Sequence, residues 1–394
     1  MRHVTDPERR VRLGRRHALA PGHRAPDPVA ATRAMTVLHA TEAPSVYLSL
    51  WARVDGLTVD TVDRALYDER SLVKQLAMRR TLFVFPRDLL PAAWGSVSAR
   101  VATALRARLA KEVVTAGLAD DGERWIEEAA GAVLARLVDG SELSAQQLRD
   151  ELPELAGRLD MSPGKPYGAN VPIAPRVLTQ LGVEGLIVRG RNSGHWRTSR
   201  PQWTAMSTWL GDVPEPATER DGYAELVRRW LTTFGPGTEA DLVWWLGSTK
   251  TAVRAALVDL AAVEVALDGG ATGWVLPDDL EPEVQDPRPG AALLPVLDPT
   301  VMGWKERGFF LGPHASALFD RNGNAGTTCW WDGRVVGCWV QDPDGVVVVH
   351  LLEDVGADGV AALRAEAARL SAWLDGHRVS TVYPSPAMKE AAAP

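Results

Sequence analysis

The feature that most constrains the fold of this 394-residue chain is an order of elements that recurs along it. "RWIEEAAGAVLARLVDG", "SELSAQQLRDEL" and "VPIAPRVLTQLGVEG" carry apolar residues at helical spacing, and "LIVRGRNSGHWRTS" then reads as strand, turn, strand around Asn192-Ser193-Gly194. Further on, "GYAELVRRWLTTFG", "TEADLVWWLG" and "TKTAVRAALVDLAA" repeat the three helices. "VEVALDGGATGWVLP" repeats the hairpin around Asp268-Gly269-Gly270. Thr238, three residues ahead of Asp241, predicts a near capping box on the middle helix. An earlier stretch is related. Asp27-Pro28 starts a helix expected to reach about Leu38, "SVYLSLWARV" follows Pro44, and "VDTVDRALYDE" follows Thr58. "SLVKQLAM" reads as a fourth helix, running into an apolar strand, "RRTLFVFP". Helix, helix, helix, hairpin is the order of a winged helix, a variant of helix-turn-helix.

The texture changes at the acidic, proline-rich "DDLEPEVQDPRPG", which reads as a linker. Beyond it "ALLPVLD", "GTTCWWDGRVVGCWVQ" and "GVVVVHLLE" read as short strands, with Trp331-Asp332-Gly333-Arg334 as a hairpin turn. One long helix, "ADGVAALRAEAARLSAWLDG", precedes an expected last strand. The length calls for more than one core. The expected division is residues 1–118, 119–213, 214–284 and 285–394, an α+β chain of three tandem winged-helix domains and a small β-rich module. Within that module Pro295 and Pro299 bracket Asp298, which is expected to bond nearby backbone N–H groups. Losing it is expected to cost roughly 1–2 kcal/mol.

Several chemistries are poorly supported. There is no phosphate-binding G-x-x-x-x-G-K-[ST], no G-x-G-x-x-G after a strand, no H-E-x-x-H and no G-x-S-x-G. The eight histidines are scattered, and Cys329 and Cys338 are the only cysteines, too few for a disulfide framework or a four-cysteine zinc site. No cofactor or metal is expected. The N-terminus lacks an apolar signal core and no apolar run is long enough to span a bilayer, so a cytoplasmic protein with no membrane partner is expected. The net charge of −7 rules out a uniformly basic nucleic-acid binder, so local charge has to be read.

Two basic stretches stand out. "RRVRLGRRHALAPGHR" includes Arg9, Arg10, Arg15 and Arg16, and reads either as a solvated helix face or as an arm facing phosphates. Arg189, Arg191, His195, Arg197 and Arg200 cluster on or beside the second hairpin, where a wing would meet a DNA backbone. The helical pattern also breaks sharply at "HATEAP", which sets His39, Thr41 and Glu42 side by side. One reading of this corner is structural: Thr41 or Glu42 caps the following helix and His39 ends the preceding one.

The chain resembles the AlkZ/YcaQ-type winged-helix DNA glycosylases over nearly its whole length. "LHATEAPSVYLSLWARV" is similar to the family stretch in which a Gln-x-Gln or Gln-x-Asp pair precedes an acidic-proline corner. "AMRRTLFVFPRDLLP" resembles the family's Met-Arg-Gly-Thr-Leu-His strand, and "RWLTTFGPGTEADLVWWLG" its third winged helix. "LLPVLDPTVMGWKER" and "WWDGRVVGCW" resemble its C-terminal β-barrel. The resemblance implies cleavage of the N-glycosidic bond of alkylated purines in double-stranded DNA, with a motif pair that positions a water on the deoxyribose; a monomer is expected. It also implies reaction at the DNA backbone without full base flipping. His39 and Thr41 stand where the motif pair would be, Phe83 replaces the strand histidine, and Arg80 replaces its glycine.

The residues present allow the chemistry. A cationic alkylpurine takes the bonding pair and departs neutral without prior protonation, so the enzyme must supply a placed water and negative potential near the sugar cation. Neutral His39 accepts a proton from that water, Thr41 holds it, and Glu42 stabilises the cation or acts as the base. No lysine lies in the motif for a Schiff base, though Lys74 and Lys305 lie elsewhere. The rivals are a DNA-binding regulator that kept the fold without the reaction, and a protein of the same fold with another ligand in its groove.

Overall fold

The computed structural model describes residues 1–161, 169–283 and 289–392. The expected linker at "DDLEPEVQDPRPG" falls partly on 284–288, outside the described residues. The chain gathers into two compact units, one of residues 66–223 and one built from both ends, residues 1–65 with 224–394.

The inner unit is mostly helical. Gly122–Leu137 starts at Asp121, whose carboxylate accepts from Arg124 N–H, and Ala145–Glu151 starts in a full capping box between Ser144 and Gln147. Ala174–Val183 is the third helix, and the hairpin Ile187–Asn192 with Pro201–Ala205 follows in the order read from the sequence. Val113, Ile126, Val133, Leu148, Leu178 and Ile187 form its core. Among the elements that were not legible are the long helix Ala99–Thr115 and the strand pair Arg158–Met161 with Ala169–Pro172.

"SLVKQLAM" is not a helix. Leu72–Leu76 is a strand, paired antiparallel with Leu82–Pro86. Val73 and Gln75 are buried while Lys74 is not, so the true period is two, hidden by flanking apolar residues. The correction makes the early stretch more like the later copies: three helices, then a hairpin. The turn of this hairpin holds Arg79 and Arg80 at φ 54° and 59°, the left-handed region. Arg80 carries a Cβ where a glycine would be unstrained. Arg80→Gly is therefore expected to stabilise the protein by about 0.5–1 kcal/mol, read as a higher urea midpoint at constant slope. A lower midpoint would mean that the arginine side chain contributes more than its backbone strain costs.

The outer unit contains the third copy. Lys250–Asp259 leads to the hairpin Val263–Leu267 with Thr272–Val275, and Thr238 and Asp241 form the capping box that starts Glu239–Leu246. The N-terminal His3–Val4 adds to this hairpin as a parallel third strand. Beyond it Ala291–Leu294, Thr328–Trp331, Arg334–Gln341 and Val347–Leu351 form an antiparallel sheet in that order. Among the described residues this sheet is open, where a β-barrel was expected. Four short strands give too little width to curl closed. The helix Gly356–Leu374 covers the sheet instead, contacting both edge strands. The expected last strand is also absent among the described residues, and the helix Pro386–Ala391 stands near the C-terminus.

One buried ion pair joins the two ends of the chain. The Arg53 guanidinium donates to both Asp298 oxygens at 2.7 and 2.9 Å, and both side chains are 0% exposed. Ser49 Oγ donates to Asp298 as well, at 2.8 Å. Asp298 also accepts from Thr300 N–H at 2.9 Å, the local backbone bond that the sequence predicts.

Candidate active site

The corner at "HATEAP" is made by a left-handed residue. The helix Pro28–Ala34 ends four residues earlier than its apolar pattern suggests, because Thr36 sits at φ 64° and turns the chain. Thr36 Oγ1 is held there by Thr233 Oγ1 at 2.9 Å. Leu38–His39 then runs extended, and Pro44 in the first turn starts the helix Ala43–Trp51. His39 thus lies in a strand and not at a helix end.

Glu42 occupies the N-cap position, yet its side chain does not cap the helix. It turns away to accept from Thr381 Oγ1 at 2.9 Å and from Val382 N–H at 2.7 Å, both on Oε1. Glu42 is 9% exposed, and its Oε2 is buried with no hydrogen-bond partner among the described residues. Burial pushes its carboxyl above the usual range, and the two donors on Oε1 only partly offset this. Tyr383 is close enough for the Glu42 charge to act with burial in raising the tyrosine hydroxyl above its ordinary value. A buried acceptor lone pair on a carboxylate with a raised pKa is suited to hold a water and take its proton.

The three motif side chains do not share one environment. His39 is 6% exposed and Glu42 is buried, whereas Thr41 is exposed. Phe83, at the position of the family's strand histidine, is buried and stacks edge-on against Phe85, so it supplies no polar group. Thr381, Val382 and Tyr383 were missed by sequence reasoning. No local signal marks residues more than 300 positions from the corner they complete.

The basic groups divide by environment. The first stretch is the helix Asp6–Arg16, and most of its charge is used internally. Arg9 is buried over the Phe309 ring with Asp6 at 3.5 Å, and Arg16 pairs with both Asp279 and Glu283 at 2.6 Å. Arg10 donates to the Phe309 carbonyl, and Arg15 lies 3.5 Å from Glu283. The stretch read as either a solvated helix face or a phosphate-facing arm is a helix that packs against the acidic residues Asp279 and Glu283. The hairpin groups in the inner unit are more open. Arg191 and Arg200 are exposed, although Arg191 also reaches Asp68 at 2.8 Å, and Arg197 donates to His195 Nδ1. Arg189 lies along the Trp203 ring with no carboxylate partner among the described residues, and Arg80 is exposed at its strained turn. No group of three or more metal-ligating side chains is gathered among the described residues. No described helix is long and apolar enough to cross a membrane.

Comparison with known families places this geometry. The family model described as DNA glycosylase AlkZ-like matches residues 32–373. The chain belongs to the AlkZ-like DNA glycosylase family. Streptomyces sahachiroi DNA glycosylase AlkZ is similar in fold, with a TM-score of 0.73 at 21% identity, over 94% of this chain and 98% of that one. No curated protein matches the sequence. The family match begins just ahead of the "HATEAP" corner and ends within the helix Gly356–Leu374, so it takes in His39 and Glu42 but stops short of Thr381.

Proposed function

We propose that this AlkZ-like protein is a monofunctional glycosylase that hydrolyses the N-glycosidic bond of alkylated purines in double-stranded DNA. The observation that carries the reading is Glu42: a buried carboxylate with a raised pKa, one oxygen anchored and the other unpartnered. Glu42 is the residue that takes the water's proton and faces the developing sugar cation with negative charge. His39 orients the same water from the preceding strand. Thr41, being exposed, contributes at most a hydrogen bond at the rim. No protein acid has to protonate a 7-alkylguanine, because the lesion already carries positive charge. In this reading the three helix–hairpin copies are winged helices, and the sheet from Ala291 onward takes the place of the family's C-terminal barrel.

The test is direct. Duplex DNA containing 7-methylguanine is incubated with the protein, treated with alkali and resolved on a gel. Strand breaks at the methylated base only after alkali are expected, with none in undamaged duplex. The residue replacements at 39, 41 and 83 favour one rival, a DNA-binding protein without the reaction. Duplex binding without any base release establishes that rival.

The DNA contacts are proposed for Arg80 and for the second hairpin, with Arg189, Arg191, His195, Arg197 and Arg200. Arg9 and Arg16 are left out because their guanidinium groups are already engaged. Replacing Arg189, Arg191 and Arg197 together with Ala is expected to weaken binding to any duplex sequence. It is also expected to lower the slope of log affinity against log salt by about one unit per lost phosphate contact. An unchanged slope in a folded variant removes this hairpin from the interface.

A further inference from the structure

Behind the start of the helix Ala43–Trp51 the outer unit forms a half-open cavity of about 320 Å³. Its walls are mainly apolar, with Pro44, Leu48, Trp339, Val379 and Met388 among them. They are also fixed. The Trp339 indole N–H donates to Leu294 O at 2.8 Å, Ser45 Oγ donates to Val296 O at 2.9 Å, and Val379 N–H donates to Gln341 Oε1 at 2.8 Å. Walls held in this way keep the cavity open, and its apolar faces lack the dispersion contacts that a ligand would supply. This cavity is large enough for an aromatic molecule of two or three rings and small for any macromolecule.

The charge on the lining is one-sided. Arg378 and Lys389 are the only ionisable groups among the residues that line the cavity, and no carboxylate is present among them. The Arg378 guanidinium donates to the Asp342 carbonyl. Lys389 stands exposed in the last turn of Pro386–Ala391, and among the described residues no carboxylate is paired with it. An apolar slot with an exposed lysine at its mouth matches a ligand with an apolar body and an anionic end.

We propose that this cavity binds a small flat apolar molecule carrying a single anionic group, an aryl carboxylate or sulfonate in chemical class. The ring system lies against Trp339 and Met388, and the anion meets Lys389. The wall segment Arg378–Thr381 is continuous with the residues that hold Glu42, so the site adjoins the corner without being part of it. The inference stands apart from the excision reading, because its readout is binding and not base release.

The experiment uses the full chain and 1-anilinonaphthalene-8-sulfonate, a naphthalene joined to one phenyl ring and carrying a single sulfonate, followed by its fluorescence gain. N-phenyl-1-naphthylamine, the same body without the anion, is the control. Saturable one-site binding of the sulfonate is expected. Lys389→Glu, an exposed change that leaves the walls intact, is expected to weaken the sulfonate at least about tenfold, the loss of one charge-assisted contact, and to leave the neutral dye within twofold. Val379→Trp is expected to abolish binding of both dyes, with circular dichroism confirming that the variant is folded. Absence of saturable binding overturns the proposal, as does an affinity indifferent to both variants. Loss with Val379→Trp but indifference to Lys389→Glu overturns the assignment of an anionic ligand.

Discussion

Asp298→Ala is expected to lower the stability of the outer unit by about 3–5 kcal/mol, well above the roughly 1–2 kcal/mol that its local backbone bond alone suggests. The difference is Arg53. With the carboxylate gone, a guanidinium that is 0% exposed keeps its charge and loses its counter-charge, and Ser49 and Thr300 lose an acceptor as well. A buried charge without a partner is among the few single-site defects of that size. The measurement is denaturant unfolding followed by tryptophan fluorescence, comparing midpoints at constant slope. Removing both charges in Arg53→Met with Asp298→Leu is expected to recover most of the loss, because the pair's own net contribution is small once desolvation is counted. A loss below about 1 kcal/mol in Asp298→Ala would contradict a dry ion pair.

Glu42→Gln is expected to cut excision of 7-methylguanine by about 100-fold or more, the range of a lost general base, while the fold is retained. The amide keeps an oxygen to accept from Thr381 and Val382, so these two residues remain as a strap over the corner. The pH dependence follows from the sign of the shift. The folded protein raises the Glu42 pKa, so the group favours folding while protonated, below the ordinary carboxylate value of about 4.3. That contribution is lost as pH rises through the raised folded value. Glu42→Gln is therefore expected to be relatively more stable than wild type above that value and to lose the advantage in acid. Wild-type excision is expected to rise with pH over the same range, and the rise to vanish in Glu42→Gln. His39→Ala is also expected to lower excision strongly. His39→Gln separates the histidine's roles, because an amide orients water but does not accept its proton. If His39→Ala and Glu42→Gln both cleave like wild type, the corner has only an architectural role.

Local physics made most elements legible. The capping pairs at Thr238 and Asp241 and at Ser144 and Gln147 announce their helices, and the hairpin turns carry glycine or aspartate where the backbone bends. Misreadings arose where a residue defied its own preference. Arg79 and Arg80 occupy left-handed conformations that no propensity suggests, so the strand Leu72–Leu76 passed for a helix. Thr36 does the same before the corner and moves His39 from a helix end into a strand. The corner itself was legible as three adjacent polar residues, but their division into buried His39 and Glu42 and exposed Thr41 was not. That division depends on Thr381 and Val382. The internal pairing of Arg16 likewise depends on carboxylates at 279 and 283 that only the fold brings near.

The distance along the chain between Glu42 and Thr381, 339 residues, also has a meaning in time. A ribosome adding roughly 5–20 residues per second needs about 20–70 s to reach the strap after it has made the corner. Through that interval the inner unit, contiguous from 66 to 223, has its whole sequence in hand, while the first 65 residues still lack the sheet and helices they pack with. Arg53 waits for Asp298 in the same way. A fragment released early carries the motif residues without the donors that hold Glu42 in place. On the proposed mechanism the arrangement ties activity to synthesis past Val382, a safeguard suited to a family of DNA glycosylases.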